Sequence, residues 1–286
     1  MHCLVTGATG FVGRHLVAEL LNGGHRVTVT APSTGRAAGF SWFSNVTFVE
    51  YTISEPRINQ DLYRFFGEPD TLIHLAWPDV SRPLSAVHTR QHLFAQYAFL
   101  ENLIQNGLTD LTIAGSCFEY GLASGLLDER IVPDPTTPYG IAKDSLRKFL
   151  EVLLADFSFT LRWIRLFYMY GEGQHPNSLF SQLETAIQRN EPSFNMSGGE
   201  QLRDYLPVQE AARIFCQLAS QSQVTGIINC CSGQPISVRQ LVDEHLQRFQ
   251  SAMVLNVGHY PYRSFEPMAS WGAVDKMHRA LASLHG

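Results

Sequence analysis

No apolar run in this chain reaches the roughly 18–20 residues that a bilayer-crossing helix needs, so a membrane-spanning role is not expected. Positive charge is also scarce. Of 286 residues, 21 are Lys or Arg against 26 Asp or Glu, giving a net charge of −5 and a pI of about 6.1. That balance offers no basic face for nucleic acid or an anionic membrane, so cations that meet an anionic ligand must be placed locally. Cysteine is sparse and scattered, as Cys3, Cys117, Cys216, Cys230 and Cys231, with no C-x-x-C pair. An odd, dispersed set fits a reducing cytoplasm without a disulfide framework. The histidines form no ligand pattern either, and no metal is expected. The opening "MHCLVTGATG" reads at once as strand and turn, without the charged leader and apolar segment of a secretory signal. Repeats and low-complexity stretches are missing too. What is present is 45% apolar and 16% charged, the composition of a folded soluble chain with a substantial core.

Strand-like runs alternate with helical patterns, which predicts βαβ units around a parallel sheet. "HCLVTG" (2–7) reads as the first strand, and "FVGRHLVAELLNGG" (11–24) as a helix with Val12, Leu16 and Leu20 on one face. "HRVTVTA", "VTFVEY", "TLIHLAW", "LTIAGS" and "FTLRWIRLF" supply further strands, with helical stretches at 83–106 and from Tyr139 to about 155. After residue 170 the pattern changes. "YGEGQHPNS" is turn-rich, and helices at 178–190, 208–221 and 237–250 alternate with short strand candidates, "IINCCS" and "AMVLNV". Residues 1–170 therefore read as the main α/β half and 171–286 mainly as a smaller α/β lobe, with a return strand near 226–232.

"VTGATGFVGRHL" places Gly7, Gly10 and Gly13 between a strand and an amphipathic helix. Glycines let the backbone turn tightly and approach a pyrophosphate, and the helix N-terminus offers free N–H groups and a positive dipole end. The fold expected is a Rossmann-type doubly wound parallel sheet. Thr9, Phe11, Val12 and Arg14 complete the cofactor loop, and Leu75 and Ala76, in "HLAW", are expected beside the same ligand. The second strand ends at Thr30 and Ala31, where an acid would bind the ribose hydroxyls of NAD. Ser33, Thr34 and Arg36 follow. Small hydroxyls and an arginine suit a 2′-phosphate, so NADP(H) is favoured over NAD(H).

Tyr139 and Lys143 in "PYGIAK" are four apart and share a helix face. With the glycine spacing and "GSCFEYG" (115–121), they make the chain resemble the extended short-chain dehydrogenase/reductase family, the NAD-dependent epimerase/dehydratases. The resemblance runs on through "RDYLPVQEAA" (203–212) and "NCCSGQPISVRQL" (229–241), which look like that family's substrate-lobe segments. It implies Ser116, Tyr139 and Lys143 as the catalytic trio. An ordinary phenol titrates near 10, too high for proton exchange at neutral pH, and a neighbouring ammonium is expected to lower it. Ser116 would hydrogen-bond a substrate carbonyl.

The family's dehydratases follow the catalytic Ser/Thr with Asp-Glu; here Cys117 and Phe118 stand there, which disfavours elimination. "GSCFEYG" and the terminal "GHYPYRSFEPMASWGAVDKM" are similar to 4-keto-6-deoxy-sugar-nucleotide reductases. The resemblance implies a nucleotide-sugar substrate whose diphosphate meets Arg203, with Arg263 a second cation. His175, Asn177, Gln201, Cys117, Phe118 and Trp77 are further candidates for substrate contact. Trp77 and Thr52 depart from the family pattern, which has a small residue and an aspartate there. An epimerase of the same family and a non-catalytic NAD(P)-sensing protein are the alternatives. Pairing of two copies through the helices at 83–106 and 139–155 is implied as well.

Overall fold

The computed structural model describes residues 1–54 and 60–284. Seven strands form one parallel sheet, in the spatial order Gly226–Cys230, Thr160–Leu166, Asp110–Ser116, Thr71–His74, His2–Thr6, Arg26–Ala31, Thr47–Glu50. All five residues of His2–Thr6 are buried, because a parallel sheet is covered on both faces and its central strands meet no water. On one face helix Gly13–Asn22, with Leu16, Val17 and Leu20 inward, packs with Val208–Ser220 and Asp275–Ala282. On the other face lie Leu93–Gln105 and Pro138–Leu153. This is the doubly wound Rossmann-type architecture.

The stretch expected to be helical from residue 83 behaves differently. Turns occupy 83–86, His88–His92 forms one π-helical turn, and the regular helix begins only at Leu93. The backbone there serves other groups: the Arg82 carbonyl faces the His88 ring at 3.0 Å, and the Pro83 carbonyl accepts the Tyr139 amide at 3.1 Å.

A second, five-stranded sheet joins Pro235–Ser237, Leu202–Pro207, Ala269–Gly272 and Gly125–Leu127, with Tyr168–Tyr170 pairing the far end of Leu202–Pro207. Ser193–Asn195 and Val254–Asn256 make a two-stranded ribbon over a core of Phe180, Leu183, Val242 and Leu246. All of these strands but Leu202–Pro207 are only three or four residues long, at or below the length at which a period of two shows in a sequence. The chain crosses residue 170 in both directions. Gly125–Leu127 enters the second sheet, while Val208–Ser220 and Gly226–Cys230 return to the first.

Asp204 fastens the two sheets. Its fully buried carboxylate accepts from the Ser232 amide (2.7 Å) and hydroxyl (2.6 Å), the Gly233 amide (2.8 Å) and the Gly272 amide (3.2 Å).

Candidate active site

Strand order reverses between His2–Thr6 and Thr71–His74, and ligands of such sheets bind in the crevice beyond these strand ends. The glycine loop enters here. Gly7 has φ +72°, and a Cβ on it would lie 2.7 Å from the Ala76 nitrogen. A Cβ on Gly13 would run into the Gly7 carbonyl. Backbone meets backbone at both places, which only glycine allows. The cleft so formed holds about 340 Å³, lined by Gly7, Thr9 and Gly10, by Leu75, Ala76 and Trp77, and by Thr30, Ala31, Arg36 and Thr52. A cradle stripped of Cβ atoms at a strand-to-helix turn fits a pyrophosphate, and the cleft residues suit a dinucleotide.

Not every expected contact lines this cleft. Phe11, Val12 and Gly13 form the helix start behind the loop. Arg14 stacks over Phe40 at 5.1 Å, and its guanidinium lies against Gly173. Ser33 precedes the short helix Thr34–Ala37 outside the lining, as the third strand's Glu50 accepts the Thr34 amide and hydroxyl at 3.2 and 3.3 Å.

Ser116 ends strand Asp110–Ser116 and caps the turn Cys117–Tyr120. Its hydroxyl accepts the Phe118 amide at 3.2 Å while Glu119 accepts the Ser116 amide at 2.8 Å, a reciprocal cap. Glu119 also takes the Trp163 indole N–H (2.9 Å) and pairs with Arg165 (2.7 Å), all of it buried. The helix carrying Tyr139 starts on Thr137, whose hydroxyl accepts the Gly140 amide at 3.1 Å, with Pro138 in the first turn. A Cβ on Gly140 would lie 2.6 Å from the Phe118 carbonyl, so this glycine brings the helix against the Ser116 turn.

The Tyr139 phenol lies beside Ser116, and its ring is walled by His88, Phe118 and Trp77 at 5.3, 5.9 and 6.1 Å. Burial pushes the phenol well above its ordinary value, and Ser116 pulls it only part of the way back. The expected lowering is therefore not what the protein's own groups produce: loss of hydration outweighs it, and the phenol stays protonated. Lys143, buried one turn on, donates to the Ala114 carbonyl at 2.8 Å. Burial brings its ammonium down to about 7, with Glu119 acting the other way.

A second cavity of about 480 Å³ lies in the smaller half, lined by Asn177, Gln201, Arg203, Arg263, Tyr168 and Glu266 among others. Arg203 is buried; one nitrogen donates to the Leu202 carbonyl (2.8 Å), another reaches Glu266 (3.3 Å), and Nε has no partner among the described residues. Arg263 meets the same carboxylate at 3.0 Å, as does the Tyr168 hydroxyl at 2.9 Å. Two expected diphosphate cations thus converge on one acid. Cys117 and Phe118 border a small hollow between this cavity and Ser116, and burial pushes the Cys117 thiol up to about 12, so it is no base at neutral pH. His175 lies outside the cavity on an exposed turn, its ring accepting the Asn177 amide at 3.1 Å.

Residues 3–231 match the NAD dependent epimerase/dehydratase family. The chain belongs to it. With relatives that are NAD(P)-dependent sugar-nucleotide oxidoreductases and epimerases, it is an enzyme of that NAD(P)-dependent oxidoreductase class. It is 29% identical over 280 residues to dTDP-6-deoxy-L-talose 4-dehydrogenase (NAD(+)) of Aggregatibacter actinomycetemcomitans, covering 96% of this chain and 100% of that protein. It is 26% identical to GDP-6-deoxy-D-mannose reductase of Pseudomonas aeruginosa, over 84% of this chain and 77% of that one. Among solved structures it is similar to MoeE5 in complex with UDP-glucuronic acid and NAD, with a TM-score of 0.80, 26% identity, and 99% and 93% of the two chains covered.

Sequence reasoning missed three residues that shape this family member's site: Glu119, Glu266 and His88. Glu119 had a readable signal, since S-x-x-E over 116–119 is the spacing of a capping box. Glu266 lies three residues after Arg263 in "RSFE". Nothing local marks His88, which reaches the site through a turn 51 residues before Tyr139.

Proposed function

We propose that the chain reduces the C4 keto group of a nucleotide-linked 4-keto-6-deoxy sugar, using NADPH or NADH. The observation that carries the reading is the buried, protonated Tyr139 phenol beside Ser116 and one helical turn from Lys143, with no elimination acid or base at Cys117 and Phe118. Ser116 and Tyr139 would grip the substrate carbonyl oxygen. As that oxygen gains negative charge, Tyr139 gives it a proton, and the Lys143 ammonium stabilises the phenolate left behind. When bound along Gly7, Gly10 and Ala76, the reduced dinucleotide supplies the hydride equivalent. Arg203 and Arg263, released from Glu266, would hold the diphosphate. Names of the relatives support this substrate class: one is a deoxytalose 4-dehydrogenase, another a deoxymannose reductase.

NADP(H) is supported by Arg36 in the cleft wall and by the missing acid after the second strand. NAD(H) is the second reading, favoured by the Glu50 carboxylate beside Thr34 and by the NAD named for two of the similar proteins. The ratio of kcat/KM for the two cofactors decides between them.

Epimerisation at C4 is a second reading of the reaction, favoured by relatives named UDP-glucose 4-epimerase that match over 85% or more of this chain. The deciding experiment is incubation with NADPH or NADH and a panel of dTDP-, GDP- and CDP-linked 4-keto-6-deoxy sugars. Stoichiometric cofactor oxidation with formation of a 4-hydroxy sugar supports reduction. Interconversion of UDP-hexoses without net cofactor consumption overturns it. Pairing of two copies belongs to the proposal as well, supported by exposed Phe94, Ile141, Phe149 and Val152 on helices Leu93–Gln105 and Pro138–Leu153. Sedimentation equilibrium at twice the chain mass is the expected result.

A further inference from the structure

One indole touches two groups of the proposed catalytic trio. Trp77 follows strand Thr71–His74 and stands in the wall of the glycine cleft. The Lys143 ammonium nitrogen lies 4.0 Å from the centre of its ring, and the Tyr139 ring meets it edge-on at 6.1 Å and 77°. The indole is also held from its far side. Its N–H donates to His88 Nδ1 at 3.1 Å, and His88 Nε2 lies 3.0 Å from the Arg82 carbonyl. An acceptor at Nδ1 and a donor at Nε2 specify the neutral imidazole. His88 is fully buried on the π-helical turn and stacks on Trp77 while meeting the Tyr139 ring edge.

Lys143 needs such a neighbour. One of its N–H groups goes to the Ala114 carbonyl, and Glu119, the acid acting on it, is already paired with Arg165. Facing it from the other elements are His74 on strand Thr71–His74 and His88, both burdened by the ammonium charge, while Tyr139 shares its helix. A desolvated ammonium over an indole face is stabilised in its charged form without another acid entering the site.

We propose that Trp77, locked in place by His88, is a positioning residue that keeps the Lys143 ammonium charged beside Tyr139. The catalytic half of this assignment rests on the trio reading above; the contact itself does not. Removing the π face lets Lys143 lose its proton at lower pH, so the alkaline limb of the turnover profile moves down by about one pH unit.

Two measurements test it. Indole emission is followed between about pH 5.5 and 9, without substrate or cofactor, in wild type, Trp77→Phe and Lys143→Met. The expected result is a transition in wild type that both substitutions abolish; a transition that survives Lys143→Met, or none in wild type, overturns the contact. The kcat–pH profile is then compared for wild type, Trp77→Leu and Trp77→Phe. A downward shift for Leu and a smaller one for Phe support the role, whereas an unmoved limb in Trp77→Leu overturns it. If Trp77→Leu does not fold, His88→Leu against His88→Asn, which retains an acceptor for the indole, makes the same comparison. Full turnover in Tyr139→Phe would sink the catalytic reading, and the emission titration would still report on the contact.

Discussion

The glycine cleft and the cavity around Arg203 are made of different material. Backbone builds the first: Gly7 lies against the 75–76 peptide, Gly13 lies against Gly7, and a methyl group fits at neither. Side chains build the second. Arg203, Arg263, Glu266 and Tyr168 come from three separate segments and meet at one carboxylate. A backbone site accepts whatever presents a pyrophosphate, since every peptide N–H is alike. A side-chain site discriminates, because its shape changes with each residue. On the proposed reading, shared cofactor use and divergent substrates are what that division yields.

Four substitutions probe the division. The largest effect belongs to Tyr139→Phe, which lies between the two regions and should cut kcat by about a thousandfold while cofactor affinity, measured by titration, stays nearly constant. Arg203→Ala should raise KM for the nucleotide sugar by on the order of a hundredfold, through the lost guanidinium. An equal rise in cofactor KM would mean that the two regions are not independent. Gly7→Ala should do the converse, weakening cofactor binding about tenfold with little change in sugar KM, because φ +72° and the Ala76 contact both oppose a Cβ. The smallest effect is on stability. Burial holds Lys143 near 7 against an unfolded value of 10.5, so from pH 7 to 10.5 the unfolded chain binds more protons and stability rises with pH. Lys143→Met should flatten that rise and lift the melting temperature at pH 7 by roughly 2–4 °C, read by scanning calorimetry.

The same division explains what the sequence made legible. Glycines at 7, 10 and 13 announce a cradle because the constraint is local and spaced along the chain. Tyr139 and Lys143 are legible for a like reason, one helical turn fixing their relation. The strands of the main sheet stand out as apolar runs because both faces are covered. Beyond these, contacts close over long separations. Glu266 reaches Arg203 across 63 residues, and Trp77 meets His88 only because residues 83–86 stay unwound. The direction in which the protein's own groups shift the Tyr139 phenol is hidden from the sequence on the same ground. A sequence displays the neighbouring ammonium but not the Trp77, His88 and Phe118 rings that take the water away.

Asp204 adjoins Arg203, yet its four hydrogen bonds reach the Ser232–Gly233 loop and Gly272. Jaw-like opening of the halves would sever the three bonds to Ser232 and Gly233 together, each a charge-assisted bond of about 1.5–3 kcal/mol, while the Gly272 bond lies within the second sheet. The Arg203 cavity therefore sits one residue from a fixed joint, and its shape is set with the two sheets held together. Its outer edge is formed by the turn at 174–178 and by the segment bearing exposed Tyr260 and Tyr262, the latter tied by its hydroxyl to Glu200.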